Sequence, residues 1–329
     1  MRVSVARFRA KFPRSLLGVA KKTPAVFNAR SKMLTGPFNL SQTRELLETL
    51  SHSPKKWLGQ NFLVDGNIVK KSLSLAEISP GDNVVEVGPG LGTLTTTLLQ
   101  AGARVFAVER DPVLAAHLRE RVAPNYSETF DLKEADAMDF PLANFPCAAP
   151  AGTPFKIVAN LPYAISSPWM DAVLDGAELP RVLVLMLQKE AADRFTGTPG
   201  NKNYGALSVF IESAYERAPG HKVGANCFFP PPKIDSYLLH LRRRENPVQF
   251  CATAKKIVRE LFIYRRKQIA SVLRKIEVCV PAGVLDDWLG ALSQFGCSPT
   301  DRPECVPAAA WQELDRRIKN VCENSLRGD

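Results

Sequence analysis

Four consecutive residues, Asn160, Leu161, Pro162 and Tyr163, carry the most specific chemistry in the sequence. The exocyclic amine of adenine is a poor nucleophile because its lone pair is delocalised into the ring. Two acceptors, the Asn160 side-chain oxygen and the Leu161 carbonyl, could draw that nitrogen toward tetrahedral geometry. Pro162 restricts Leu161 to extended conformations, and Tyr163 offers a face on which an extruded base can stack. This NLPY loop (residues 160–163) therefore predicts transfer of a group to an adenine amine.

A second motif, the glycine loop at residues 88–92, reads Gly-Pro-Gly-Leu-Gly between a predicted strand and a predicted helix. Glycines allow close approach of the backbone to a ligand, and a helix N-terminus supplies unpaired amides. Glu109 ends the next predicted strand, where an open α/β sheet places the acid that binds ribose hydroxyls. Dinucleotide enzymes share this pattern with methyltransferases. Thr93, in place of the third dinucleotide glycine, favours a methyltransferase with S-adenosylmethionine as cofactor.

Asp136 follows the predicted third strand and could reach the adenine edge of the cofactor, although a solvated loop aspartate fits the sequence nearly as well. The mechanism needs no general base, because a sulfonium is already an activated donor and the amine can lose its proton to solvent. Positioning of the two reactants can account for roughly 7–11 kcal/mol of the barrier.

The elements around these motifs predict a Rossmann-like, class I methyltransferase sheet. Apolar runs without alternating polarity, separated by helical segments, are typical of a parallel sheet covered on both faces. The predicted strands are 83–87, 104–109, 129–134, 155–160, 182–187 and 237–242. Pro112 is expected to open a helix directly after Asp111.

Three segments are predicted along the chain. Residues 1–44 hold ten Lys or Arg and no acid, so we expect a disordered basic extension, either an organellar transit peptide or the result of a start codon assigned upstream of Met33. Residues 45–244 form the catalytic domain. Helical patterns alone follow a boundary at 244–247, and residues 245–329 are expected to form a smaller helical RNA-binding domain.

The formal net charge of +10 has one concentrated source in the body of the chain, residues 233–275, which hold twelve basic and three acidic side chains. A local basic surface of this kind fits a phosphate backbone. The predicted RNA contacts are Arg242, Arg243, Lys255, Arg265, Arg266 and Lys267. The cysteines and histidines lack metal-ligand spacing, and no apolar run has the length of about 20 residues that a membrane span needs.

The sequence resembles the ribosomal RNA adenine dimethyltransferases of the KsgA type from about residue 54 to residue 317. Besides the two loops, the resemblance rests on residues 58–65 (LGQNFLVD), 165–166, 188–190, 204–205, 228–233 (FFPPPK) and 265–267 (RRK).

The resemblance implies dimethylation of two adjacent adenosines near the 3′ end of small-subunit ribosomal RNA. It also implies that Phe228 faces the target base opposite Tyr163. Expected contacts of S-adenosylmethionine are Asn61, Leu63, Gly88, Gly90, Glu109, Asp136 and Asn160. The resemblance further implies a monomer that acts on the pre-ribosomal small subunit in a bacterial cytoplasm. If residues 1–40 are a transit peptide, the expected location is a mitochondrion or plastid.

Two alternatives remain open on the sequence alone. One is a large-subunit ribosomal RNA adenine methyltransferase of the antibiotic-resistance type. The other is a non-catalytic RNA-binding or transcription-assisting protein on the same scaffold. Leu161 and the long helical segment after residue 245 favour the small-subunit enzyme, and the intact loops argue against a non-catalytic role.

Overall fold

A computed structural model describes residues 34–146, 153–277 and 280–327. The strands are β1 Phe62–Leu63, β2 Asn83–Val87, β3 Arg104–Glu109, β4 Phe130–Glu134, β5 Phe155–Asn160, β6 Val182–Gln188, β7 Tyr215–Val223, β8 Phe228–Phe229 and β9 Ser236–Arg243. The helices are α1 Leu40–Thr49, α2 Gly66–Leu75, α3 Thr93–Gln100, α4 Pro112–Arg121, α5 Ser166–Leu174, α6 Lys189–Phe195, α7 Ala206–Ala214, α8 Ala252–Ile263, α9 Ile269–Leu273, α10 Val284–Ala291 and α11 Ala308–Arg327.

The main sheet of the described residues has the order β4-β3-β2-β5-β6-β9-β7. Strands β2 to β6 pair in parallel, as the apolar runs predict. Both faces of the sheet are covered, since neighbouring side chains such as Val84 and Val85 are both fully buried. The fold class is confirmed.

Two strands at one end of the sheet depart from the parallel pairing. Strand β9 runs antiparallel to β6, and β7, which the sequence did not indicate, runs antiparallel to β9 at the edge. Strand β7 carries Pro219 and Gly220 at a register shift in its pairing with β9. Proline is tolerated on an edge strand but is not typical of strands. The sequence around Pro219 therefore does not have the pattern by which a strand is predicted.

Helix α1 belongs to the fold, so the predicted end of the basic extension at residue 44 is wrong. The helix begins with a capping box in which Asn39 and Gln42 bond reciprocally. Phe38 is 3% exposed, and its N–H donates to the Thr93 hydroxyl at 2.8 Å. Because residues 1–44 contain no acid, the sequence analysis included this helix start in the basic extension. The transit-peptide and start-codon interpretations concern residues 1–40, of which residues 1–33 lie outside the described residues.

The segment after residue 245 contains helices α8 to α11 and packs on the same core as the sheet. The rings of Phe210 in α7 and Phe250 lie 5.1 Å apart. The Tyr204 hydroxyl donates to the Val306 carbonyl at 2.9 Å, and residues 33–329 form one compact unit. The boundary predicted at 244–247 therefore separates two kinds of secondary structure and not two separate cores. Within the ranges described, no helix combines the length and apolarity needed to cross a membrane.

A chain that starts at Met33 should retain the free energy of unfolding of the full chain, because α1 and Phe38 are kept. A chain that starts at Ser41 loses Phe38 and the Asn39 cap, and its free energy of unfolding should fall by about 3 kcal/mol or more. Urea unfolding of the three chains measures this. Equal stability of the two shortened chains would contradict the packing of Phe38, and a large loss at Met33 would assign residues 1–32 to the fold.

Candidate active site

A cleft opens at the carboxyl ends of β2, β3, β4 and β5. Ligands of open α/β sheets bind at this edge. The structure brings together in its lining ten residues singled out from the sequence: Asn61, Leu63, Gly88, Gly90, Glu109, Asp136, Asn160, Leu161, Pro162 and Tyr163. Phe38 and Thr43, from the segment that the sequence assigned to the extension, line it as well.

The glycine loop needs glycine at positions that contact other parts of the site. Gly88 and Gly90 have φ angles of 69° and 62°, in the left-handed region that favours glycine. A β-carbon on Gly90 would lie 3.2 Å from the Phe62 ring, and one on Gly88 would lie 3.6 Å from Pro162. The loop therefore packs closely against β1 and the NLPY loop, and its Gly88 and Gly90 amides are bonded within the site, to the Val108 carbonyl and to Glu109.

Glu109 is held in place by backbone amides. Its Oε2 accepts from the Gly90 N–H at 3.0 Å, and its Oε1 accepts from the Asp111 N–H at 2.8 Å. Burial raises the pKa of this carboxyl, while the amide bonds oppose the shift. Each oxygen keeps a lone pair for a further donor, so the carboxylate can accept from the hydroxyls of a bound ribose.

Glu86 is a functional candidate that sequence reasoning used only as a spacing mark. It is 2% exposed and lines the cleft, and no hydrogen bond to its Oε2 is found among the described residues. Burial raises the pKa of Glu86 to about 8; the Thr95 hydroxyl opposes this shift and repulsion from Glu109 adds to it. A buried carboxyl with an unpartnered oxygen suits a cationic ligand group, because a cation beside it lowers its pKa and favours the carboxylate. The available signal was an acid inside a buried strand next to a glycine loop.

Asp136 lies at the cleft and is also partly exposed to solvent, so both interpretations of its sequence position describe it in part. It lines the cleft, and its side chain is 28% exposed. One oxygen accepts from the Met138 N–H at 2.9 Å, and the other lies 3.0 Å from the Arg110 guanidinium. These bonds fix the carboxylate at the cleft rim.

The orientation of the Asn160 amide is set by its neighbour across the cleft. Its Nδ2 donates to the main-chain carbonyl of Asn61 at 2.9 Å. Because a carbonyl only accepts, the nitrogen must face it, and Oδ1 is directed elsewhere. The Leu161 side chain is 1% exposed, and its N–H donates to Met186 O at 3.2 Å, which anchors the backbone. The Asn160 Oδ1 and Leu161 carbonyl are therefore available as acceptors.

The two aromatic residues of the predicted base pocket differ in placement. Tyr163 is half-buried in the cleft, and its hydroxyl lies 2.9 Å from the Ser236 hydroxyl, which holds the ring. Phe228 is 3% exposed and lies outside the cleft lining, because β8 pairs with β1 and sets it opposite Leu63. Its role opposite Tyr163 stays a prediction, and it requires the side chain to become exposed.

One predicted RNA contact is wrong. Lys255 is 3% exposed, and its ammonium is paired with Asp175 and donates to Leu174 O at 3.3 Å. A phosphate cannot reach it without disrupting this packing. The sequence shows the charge of a lysine but not its burial, which here depends on the contact between α8 and the end of α5.

The other basic residues differ in how free they are. Arg266 and Lys267 are exposed. Arg265 is tied to Glu304, with contacts of 2.6 and 2.8 Å. The Arg242 guanidinium pairs with Glu77, just beyond the end of α2. The Arg243 guanidinium donates to the Leu179 carbonyl at 2.7 Å. Among the described residues, no group of three His, Cys, Asp or Glu could hold a metal ion.

The sheet order, the glycine loop, an acid ending the second parallel strand and the NLPY loop together define a class I methyltransferase. A family model described as ribosomal RNA adenine dimethylase matches residues 51–280. The chain therefore belongs to the ribosomal RNA adenine dimethylase family, as the sequence resemblance indicates.

Individual relatives agree with this assignment. The chain is 55% identical over 281 residues to ribosomal RNA small subunit methyltransferase A of Opitutus terrae, covering 85% of this chain and 99% of the relative. It is similar to the solved 23S rRNA methyltransferase ErmE at 29% identity, with a TM-score of 0.58, covering 79% of this chain and all of that one. A dimethyladenosine transferase from Plasmodium falciparum shares the fold, with a TM-score of 0.64, 23% identity and coverage of 79% and 98%.

The substitution Glu86→Gln should remove a pH-dependent cost to stability. The pKa of Glu86 is about 8 in the fold against 4.5 for the free group, so the folded state binds the proton more tightly. Its contribution is most favourable below pH 4.5 and is lost as the pH rises to about 8. The free energy of unfolding of the variant relative to wild type should therefore increase across this window, by about 1.4 kcal/mol for each pKa unit of real shift.

Urea unfolding across this pH window measures the difference, with Glu120→Gln on the exposed face of α4 as the matched control. The same Glu86→Gln variant should bind S-adenosylmethionine more weakly, because it lacks the carboxylate that a cation requires. A wild-type-minus-variant difference that stays constant with pH would show that Glu86 is not held protonated.

Proposed function

We propose that this chain transfers methyl groups from S-adenosylmethionine to the exocyclic amines of two adjacent adenosines near the 3′ end of small-subunit ribosomal RNA. The observation that carries the proposal is the orientation of Asn160, whose amide nitrogen is bound by the Asn61 carbonyl and whose oxygen is left as an acceptor. Family membership and the printed name of the Opitutus terrae relative support the substrate.

The residues of the cleft fit S-adenosylmethionine. Glu109 would accept from the ribose hydroxyls, and Asp136 would lie at the adenine edge. The unpaired Oε2 of Glu86 suits a cation, and the cofactor carries an ammonium and a sulfonium. The main chain at Gly88 and Gly90 lies alongside, and Asn61 and Leu63 complete the wall. When bound, the cofactor supplies a methyl group on an activated sulfonium centre.

The protein prepares the amine by orienting it. The Asn160 Oδ1 and the Leu161 carbonyl each accept one N–H of the adenine amine, which directs the nitrogen lone pair out of the ring plane. Tyr163 stacks on the base, and its bond to Ser236 holds the ring in position. The proton leaves to solvent, so a histidine is not needed. Preorganisation of this kind can supply several kcal/mol of the barrier reduction.

RNA binding is assigned to the exposed basic surface at the end of α8. Arg266 and Lys267 are exposed beside Tyr264, which is 50% exposed. Exposed cations next to an aromatic face suit phosphates and unpaired bases. Arg242 and Arg243 lie on exposed positions of β9 and could add phosphate contacts.

Two features favour this function over the alternatives. The solved ErmE structure shares the fold, but the relative at 55% identity is named for the small subunit, which favours that target. A non-catalytic protein would have no use for two buried carboxylates in an open cleft, since they destabilise the fold. Glu86 and Glu109 are both present and buried.

We further propose a monomer that acts on the pre-ribosomal small subunit in the cytoplasm of a bacterium. All the residues that the mechanism uses come from one chain, so no second copy is needed to complete the cleft. No metal is used, because the proposed chemistry requires neither a Lewis acid nor an activated water.

The substitution Asn160→Ala should lower the single-turnover methylation rate at saturating RNA by about 10²–10³, the usual effect of losing one preorganised polar contact. The melting temperature should stay close to wild type, because Asn160 contributes one side-chain bond at the cleft surface. Asn144→Ala removes an exposed asparagine outside the cleft and should leave the rate unchanged. An Asn160→Ala protein that folds and methylates at a near wild-type rate would refute the mechanism.

Tyr163 should act through its ring. Tyr163→Ala should weaken capture of the target base by about 1–3 kcal/mol, whereas Tyr163→Phe should be mild because stacking survives without the bond to Ser236. RNA titrations of single-turnover rates separate the two. If Phe were as damaging as Ala, the hydroxyl and not the ring would be responsible, and the stacking role would be wrong.

Neutralising Arg266 and Lys267 together should flatten the salt dependence of RNA binding. Each lost phosphate contact should reduce the log–log slope by about 0.7–0.9, while affinity for S-adenosylmethionine is retained. Arg316→Gln is the control, because that exposed arginine is already paired with Glu313 at 2.7 Å. An unchanged slope in the double variant would show that Arg266 and Lys267 belong to an ordinary solvated surface and do not contact phosphates.

A further inference from the structure

Trp57 differs from the other tryptophans of the chain in its exposure. Trp169, Trp288 and Trp311 are fully buried, whereas 70% of Trp57 is exposed. Burial of a large aromatic side chain is favourable because its apolar surface leaves water. The fold covers little of the Trp57 side chain, so its position points to a partner outside the chain.

The indole stands at the mouth of the active-site cleft. Trp57 lies in a single 3-10 turn, Lys56–Leu58, and is part of the cleft lining. Gly59 ends the turn with a φ of 66°, and a β-carbon on it would lie 3.6 Å from the Tyr163 nitrogen. The turn therefore abuts the NLPY loop, beside the place where a target base must enter.

Hydrogen bonds fix the turn from both ends. Asp111 Oδ2 accepts from Gln60 Nε2 at 2.9 Å and lies 2.8 Å from Lys55 Nζ. The Lys55 N–H donates to Gln60 Oε1 at 2.8 Å. Asp111 itself is fully buried and caps α4. The indole is thus carried on a backbone that is already in place before a ligand arrives, which lowers the entropic cost of binding.

The charges around the indole suit a polyanion. The Arg110 guanidinium lies over the Trp57 ring, 5.7 Å from its centre. It is paired with Asp136 at 3.0 Å, but its side chain is 54% exposed and accessible to a phosphate. Lys56, next in the chain, is also exposed. An aromatic face flanked by cations is the arrangement with which proteins hold single-stranded nucleic acid, through base stacking and phosphate contacts. S-adenosylmethionine, by contrast, carries a net positive charge, which these groups do not attract.

We propose that Trp57 is a stacking platform for the nucleotide adjacent to the target adenine in the RNA. This inference rests on the proposed function, in which Tyr163 takes the target base itself. When one adenine enters the cleft, its neighbour leaves its own stack, and Trp57 offers a new one a few residues from the NLPY loop. The platform then helps to place two adjacent adenosines in turn.

The experiment uses the full chain and a single-stranded RNA that contains two adjacent adenosines. Since the other tryptophans are buried, quenching by acrylamide reports mainly on Trp57, with Trp57→Phe as the blank for that signal. RNA should quench the Trp57 emission and protect it from acrylamide. Trp57→Leu should bind this RNA on the order of tenfold more weakly, the effect of one lost base–aromatic stack, whereas Trp57→Phe should bind nearly as well as wild type.

A second arm identifies the nucleotide. The base on either side of the target adenine is replaced in turn by an abasic ribose, and one of these RNAs should bind wild type and Trp57→Leu equally. Calorimetry should give unchanged S-adenosylmethionine affinity in Trp57→Leu. A variant with weakened cofactor binding and normal RNA binding would make Trp57 a cover of the cofactor and overturn the proposal, as would equal RNA affinity of Leu and wild type on the intact RNA.

The two proposals fail in different ways. If wild type methylates the adenosines but Trp57→Leu binds RNA normally, only the platform is wrong. If wild type binds the cofactor and does not methylate small-subunit RNA, the proposed function is wrong, whatever Trp57 does.

Discussion

The parallel pairing of β2 with β3 and β5 is the constraint on which the site depends. Val87 lies opposite Val108 in this pairing, so the glycine loop after β2 and Glu109 at the end of β3 meet at one edge. Strand β5 delivers the NLPY loop to the same edge from the other side. Residues far apart in sequence thus line one cleft because parallel strands end together.

Two buried carboxyl groups in the cleft lower the stability of the fold, and the proposed function gives a reason for their presence. Glu86 and Glu109 are buried beside each other at the ends of neighbouring strands, and burial raises the pKa of both. Glu109 is compensated by two backbone amides, whereas Glu86 Oε2 has no partner among the described residues. A fold selected for stability alone would replace such a group. Under the proposed function, such a group is kept because a cationic cofactor would pair with it.

The sequence predicted those parts of the fold that local patterns determine. The bounds of β2, β3 and β5 agree with their apolar runs, and Asp111 caps α4 as the following proline indicates. The motifs likewise placed the NLPY loop and the glycine loop at one site. The strand bounds and the helix cap succeed because each depends on neighbours within a few residues, whereas the two loops meet because parallel strands end at one edge of the sheet.

Other features depend on contacts that the sequence does not express. Lys255 is indistinguishable from an exposed lysine until α8 packs beside Asp175. The bounds of β7 depend on its pairing with β9. The position of Phe228 opposite Leu63 depends on the pairing of β8 with β1. The orientation of Asn160 is set by a carbonyl 99 residues away in the chain. Tertiary contacts of this kind override composition and propensity.

The most direct test of the account is mass spectrometry of small-subunit ribosomal RNA after incubation with the protein and S-adenosylmethionine. Fragment masses locate the added methyl groups along the RNA. We expect dimethyladenosine at two adjacent positions near the 3′ end, and none when Asn160→Ala is used for the same time. Methylation confined to large-subunit RNA, or cofactor binding without any methylated adenosine in the small-subunit RNA, would contradict it.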